Sequence, residues 1–290
     1  MKITAAEKKR IANAALAYAD RYDSRNQAAA TLNGVSSATL SQVINGNWSQ
    51  ISDKMWRTIM ASLSFNPDEE TFVETSAFSE LQEIFEDAQE NALTMGIIAP
   101  AGTGKTFAIK YHYATSRNVF FLQCREYWNR KVFLQELLTK MGRPHFGMSI
   151  AEMMAEAERR LLMIDSPQII LDEYDKLPDH VFSFFITMYN GVEGRCSFIV
   201  IATDHLKKRI KRGVELNKKG YNEIWSRLGR KFIEIPAPNA EDIVKICHVF
   251  GIDDTMTIRK VIADSENDLR RVMRKIHAIK AKQAKAELNQ

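Results

Sequence analysis

The stretch Ala99-Pro100-Ala101-Gly102-Thr103-Gly104-Lys105-Thr106 places glycines, a lysine and a hydroxyl at the spacing of a phosphate cradle. Backbone N–H groups of Gly102, Thr103 and Gly104 can point at phosphate oxygens, with Ala101 completing the loop and a helix N-terminus behind them. Lys105 can reach β- and γ-phosphates, and the Thr106 hydroxyl can sit on Mg²⁺. Ala99 falls at a strand end, where any small residue suffices. A second group follows at Gln168-Ile169-Ile170-Leu171-Asp172-Glu173. Four residues that are mostly apolar put Asp172 at a strand tip, able to hold Mg²⁺ through water, and Glu173 beside it could polarise an attacking water. Either group alone is weak; together they specify hydrolysis of a nucleoside triphosphate, with ATP and Mg²⁺ as cofactors.

Such residues need a sheet edge to stand on. Strand-like runs occur at 95–99, 118–124, 168–172, 197–203 and 231–235, and helical patterns separate them at 104–115, 130–141, 149–163 and 180–190. Strands alternating with helices predict a parallel five-stranded sheet in an α/β fold. The strand at 118–124 lies between the cradle and the Asp172 strand, which points to the additional-strand class of P-loop ATPases. Beyond Pro236-Ala237-Pro238 the chain turns helical, with Asn239 capping one helix and Ser265-x-x-Asp268 another.

The first 66 residues have a different texture. Thr4-x-x-Glu7 is a capping box that opens a helix through about Tyr22. Shorter helices are expected at 27–32, 36–44 and from about 52. Residues 26–50 carry no charged side chain, residues 66–91 carry nine acidic ones and no basic one, and residues 205–231 carry ten Lys or Arg against two Glu. Such blocks predict modules with separate partners: a helical domain at 1–66, an acidic linker and docking helix at 67–91, an α/β core at 92–237, and a helical lid with a basic tail at 238–290. Three scattered cysteines suit a reducing cytoplasm. No apolar run is long enough to span a bilayer, so no membrane role is expected.

From about residue 75 to 282 the chain resembles the AAA+ ATPases, and the resemblance implies three further roles. Thr203, ending "FIVIATD", stands where the family has its sensor-1 residue. Arg227 or Arg230 in "IWSRLGRKFIEIP" stands where it has an arginine finger, supplied to a neighbouring subunit. In "ENDLRRVMRKI", Arg270, or second Arg271, resembles sensor 2.

Residues 27–46, "QAAATLNGVSSATLSQVING", resemble the helix-turn-helix of the lambda-repressor/Cro type, with Asn33 as an apparent one-residue insertion in the turn. Ser37, Ser41, Gln42 and Asn45 then face a base edge or phosphate. With no cation nearby, grip on phosphates is expected from the basic stretch Lys207, Lys208, Arg209, Lys211, Arg212, Lys218 and Lys219, with a steep salt dependence.

A repressor-like domain, an acidic linker, an AAA+ core and a short lid together resemble the transposition target-selection ATPases. That resemblance implies an ATP-dependent homo-oligomer or filament on largely non-specific duplex DNA, a transposase as partner, and hydrolysis as the disassembly switch. A helicase loader or replication initiator, or a regulator whose N-terminal domain binds protein, would use the same core.

Overall fold

A computed structural model describes residues 3–22, 24–63 and 73–288 of the chain. The acidic residues Asp68, Glu69 and Glu70 of the expected linker lie outside them.

Thr4 and Glu7 close their capping box reciprocally and start α1, Ala5–Ala19. Ser24 caps α2, Arg25–Ala30, and Ser36 caps α3, Ser37–Ile44; α4 spans Asp53–Leu63. Ile11, Ala15, Ala28, Leu40, Val43, Trp56 and Ile59 form one buried cluster between these helices. The first helix stops three residues short of Tyr22. There the hydroxyls of Tyr18 and Tyr22 meet at 3.1 Å, and Tyr18 also meets the Thr31 hydroxyl at 2.5 Å.

Thr75 caps α5, Ser76–Glu90, after which strands and helices alternate. The strands are β1 (Thr94–Ile98), β2 (Val119–Gln123), β3 (Gln168–Asp172), β4 (Ser197–Ala202) and β5 (Phe232–Glu234). Between them run α6 (Lys105–Thr115), α7 (Arg130–Lys140), α8 (Ile150–Met163), α9 (Asp179–Phe182), α10 (Phe184–Val192), α11 (Asp204–Glu215) and α12 (Tyr221–Arg227). The lid is α13 (Ala240–Val249), α14 (Thr255–Ser265) and α15 (Leu269–Leu288).

The five strands form one parallel sheet in the order β2-β3-β4-β1-β5. Thus β4 is inserted between the cradle strand β1 and the Asp172 strand β3, as the additional-strand class requires. Helices cover both faces, so β3 and β4 are buried throughout and read as continuous apolar runs. On one face α5 and α6 pack over Ile97, Ile170 and Ile199; on the other, α7, α8 and α10 cover Ile169, Leu171 and Phe198. The register sets Asp172 opposite Gln123 on one side and Ile201 on the other, so the strand tips share one edge. In open α/β sheets that edge is where ligands bind.

Two elements differ from the sequence-based expectation. The helix expected over 180–190 is split at Ser183: Arg130 Nε donates to the His180 carbonyl at 2.9 Å and the Tyr174 hydroxyl to the Phe182 carbonyl at 2.7 Å. Side chains thus take carbonyls that a continuous helix would satisfy itself. In the lid, Asp268 caps α15 directly, accepting from the Arg270 N–H at 2.7 Å, while Ser265 ends the preceding helix. No helix among the described residues is long and apolar enough to cross a membrane.

Candidate nucleotide site

The loop after β1 turns on Gly102 and Gly104, whose φ of 80° and 87° lie where a side chain would strain the backbone. Gly104 then starts α6, with the Ala108 N–H closing the first turn on its carbonyl. Thr103 is buried and donates to the Pro100 carbonyl at 3.0 Å, holding the loop in shape. Ala101 is exposed at its tip. Lys105 lies buried under the loop, its Nζ 3.5 and 3.4 Å from the carbonyls of Ala99 and Pro100. Burial lowers its pKa, and the Asp172 charge opposes that.

Thr106 Oγ1 donates to Asp172 Oδ2 at 3.3 Å, so the two groups quoted from separate parts of the sequence meet here. Asp172 is fully buried, and burial raises its pKa against the pull of Lys105. A hydroxyl and a desolvated carboxylate side by side are hard oxygen donors fitted to Mg²⁺. The lysine and loop amides fit the phosphates of ATP. A cavity of about 510 Å³ leads from the loop, with Val73, Phe78, Ile246, Phe250 and Met273 forming an apolar end able to take a base. Bound Mg²⁺ would neutralise phosphate charge, held by Thr106 and Asp172.

Glu173 stands beyond the strand tip in a left-handed conformation, φ 55°. Its carboxylate accepts from Gln123 Nε2 at 3.2 Å and pairs with Lys176 Nζ at 3.0 Å. Thr203 donates to Asp175 Oδ2 at 3.4 Å, which ties the tip of β4 to the turn after β3. Gln123, Asp175 and Lys176 escaped sequence reading. The register that sets Gln123 beside Asp172 is the signal that could have found the first.

Arg270 lines the cavity together with Lys105, whereas Arg271 is turned away into an ion pair with Glu266. The neighbouring Asp268, expected only as part of a helix cap, covers Gly102 with its carboxylate so closely that a Cβ there would collide with it. The Leu269 N–H also donates to the Gly102 carbonyl at 2.9 Å, so the lid touches the loop directly. Arg227 and Arg230 do not line this cavity. Arg227 donates to Asn190 Oδ1 at 2.7 Å and covers the Tyr189 ring; Arg230 is exposed, at φ 55°.

The candidate DNA-contacting residues divide. The segment 207–212 is helical within α11. Lys208, Lys211, Arg212, Lys218 and Lys219 are exposed, while Lys207 pairs with Glu234 at 2.5 Å. Arg209 differs from these in its setting. Its guanidinium donates to the carbonyls of Asp175 and Leu177 at 2.8 and 2.7 Å, to Asp179 at 2.6 Å and to the Tyr221 hydroxyl at 3.1 Å, over the Phe182 ring. Helical period turns it inward, where it pins the turn that carries Glu173 and Asp175. On the N-terminal domain Ser37, Ser41 and Gln42 are half-buried and Asn45 is exposed. Asn45 accepts from Arg25 Nη1 at 3.4 Å, so a cation lies beside this surface, one residue before the charge-free block.

With sheet order and loop geometry established, the class is an α/β P-loop fold. A family model described as an AAA domain matches residues 88–210, less than half of the chain, and that segment is similar to it. No curated protein sequence matches the chain. Among solved structures, NtrX from Brucella abortus aligns at 16% identity and a TM-score of 0.49, over 84% of this chain. The chain spans 58% of that structure's length, and a likeness at that level says nothing of function.

Proposed function

We propose that the chain is an ATPase that assembles on duplex DNA when ATP is bound, presents that DNA to a transposase, and disassembles on hydrolysis. In order of modules it resembles phage Mu B protein. The observation that supports this reading is a separate N-terminal helical unit, in which two short capped helices follow one another, beside a P-loop core whose two candidate finger arginines lie outside their own nucleotide cavity. One of these arginines, in this reading, serves a neighbour's nucleotide, which requires the chain to assemble. In this reading Lys105 and the loop amides hold the phosphates, Thr106 and Asp172 hold Mg²⁺, Glu173 accepts a proton from water, and Thr203 and Arg270 sense the γ-phosphate. Arg25, Lys208, Lys211, Arg212, Lys218 and Lys219 supply the grip on DNA.

Electron microscopy of the chain with random duplex DNA and a slowly hydrolysed ATP analogue tests the reading. Continuous helical filaments are expected, lost in Lys105→Ala. Closed rings, assembly only with a helicase, or no DNA association would reject it. With six cations contacting phosphates, affinity should fall about 10³-fold between 50 and 200 mM salt.

A further inference from the structure

A second cleft, of about 600 Å³, opens between the N-terminal helices and the core. Among the described residues it shares only Lys110 with the nucleotide cavity. Its wall carries four cations, Arg21, Lys110, Arg125 and Lys140, against one carboxylate, Glu136. Two of these cations are withdrawn from water with no ion pair among the described residues. Arg21 lies between the rings of Tyr18 and Tyr113, its guanidinium carbon 4.9 and 4.7 Å from their centroids. The ring faces offset part of its desolvation. They offer no acceptor in the plane of the guanidinium, however, and Nε and Nη1 are buried without a hydrogen-bond partner. Lys140 is half-buried, and that burial lowers its pKa against an opposing pull from Glu136.

Desolvating cations with so little counter-charge beside them is costly, and an anion joining them in the cleft would offset that cost. The anion has a flat neighbour available. Tyr127, 78% exposed, and Trp128 lie on the same wall as Arg125. Aromatic faces beside cations are the pairing that holds a base and its phosphate. The volume lies within the range of small-molecule sites.

We propose that this cleft binds a nucleotide unit, its phosphate set among Arg21, Arg125 and Lys140 and its base stacked on Tyr127. A free nucleotide and one residue of a nucleic-acid strand offer the same chemistry. The site is independent of the transposition reading and of the P-loop.

The test uses the full chain carrying Lys105→Ala, so that weakened P-loop binding is common to every sample. It is titrated with a fluorescent AMP and with a labelled eight-residue oligothymidylate, and binding is read by anisotropy. Binding of AMP identifies a free nucleotide, and binding of the oligonucleotide alone identifies a strand; either supports the site. Adding Arg125→Gln and Lys140→Met should weaken the bound probe at least tenfold. The unliganded Lys140→Met chain should melt no lower than its parent, because it loses a charge that lacks a partner. Should the double variant fail to melt cooperatively, Tyr127→Ala, at an exposed position, carries the same tenfold criterion. Binding of neither probe, a change under twofold in the variants, or equal displacement by hexaglutamate would overturn the proposal.

Discussion

Asp268 lies against the phosphate loop: its carboxylate covers Gly102, while its backbone neighbour Leu269 bonds the same loop. A negative charge there opposes phosphate. Asp268→Asn keeps the helix cap, since Asn caps as well as Asp, and should tighten ATP binding at least threefold in a fluorescent-nucleotide titration. Unchanged or weaker binding would mean that the carboxylate has no contact with the phosphate field. Arg209 gives a second test. Replacing its planar fork by Lys in Arg209→Lys abandons the two carbonyls it bridges and should cost on the order of 2 kcal/mol of stability. DNA affinity should hold, whereas Lys211→Ala should lower it; equal losses would return Arg209 to the DNA surface. At this scale Asp172 and Lys105 were legible because a strand-terminal acid and a Gly-rich turn are local patterns. Gln123, Asp175 and Asp268 were not, since only strand register and lid docking bring them to the site. The interior contacts of Arg209 were not legible either, because a block of charge hides which member faces inward.

Helix α6 carries the phosphate loop at one end and is held to the sheet by a polar network at the other. His112 Nε2 donates to Gln168 Oε1 at 2.8 Å, and the Ser116 hydroxyl lies 3.3 Å from Nδ1. The Gln168 amide donates onward to the Phe85 carbonyl at 2.8 Å and to Ser197 Oγ at 3.2 Å. One network thus joins α5, α6, β3 and β4. Burial pushes the His112 pKa down to about 4 from 6.5. The unfolded chain therefore binds this proton at higher pH than the folded one. Stability from the neutral ring is complete above pH 6.5 and is lost as pH falls towards 4, by on the order of 3 kcal/mol across that window. Urea titrations at several pH values should show this slope flattened in His112→Asn; an identical slope would assign the acid sensitivity elsewhere. Strand and helix order was readable from period and composition. The break at Ser183 was not, because it depends on Arg130 and Tyr174 reaching carbonyls from other elements.

The N-terminal domain is seated on the core at α6. The Tyr113 ring of α6 meets Tyr18 edge-on at 6.4 Å and stacks on Arg21, and the Tyr22 hydroxyl donates to the Lys140 carbonyl at 3.3 Å. Gln27 of α2 packs near Gly142. The sequence separated the two modules by texture but held no sign of this contact, since Tyr113 and Arg21 are 92 positions apart and each looks ordinary alone. The loop fitted to phosphate and the surface proposed to meet DNA are therefore connected through one helix. If ATP raises DNA affinity by some factor, DNA must raise ATP affinity by the same factor. Tyr113→Ala removes the ring shared by both domains; Tyr113 lines the second cleft, but neither the P-loop cavity nor the surface proposed to meet duplex DNA. It should reduce both factors together, and by equal amounts, while ATP affinity without DNA stays within twofold of the parent. Paired titrations, DNA with and without ATP and ATP with and without DNA, measure all four constants. Equal factors that stay at the parent's value would show that the coupling runs between subunits of the assembly, through Arg227 or Arg230, and not through α6.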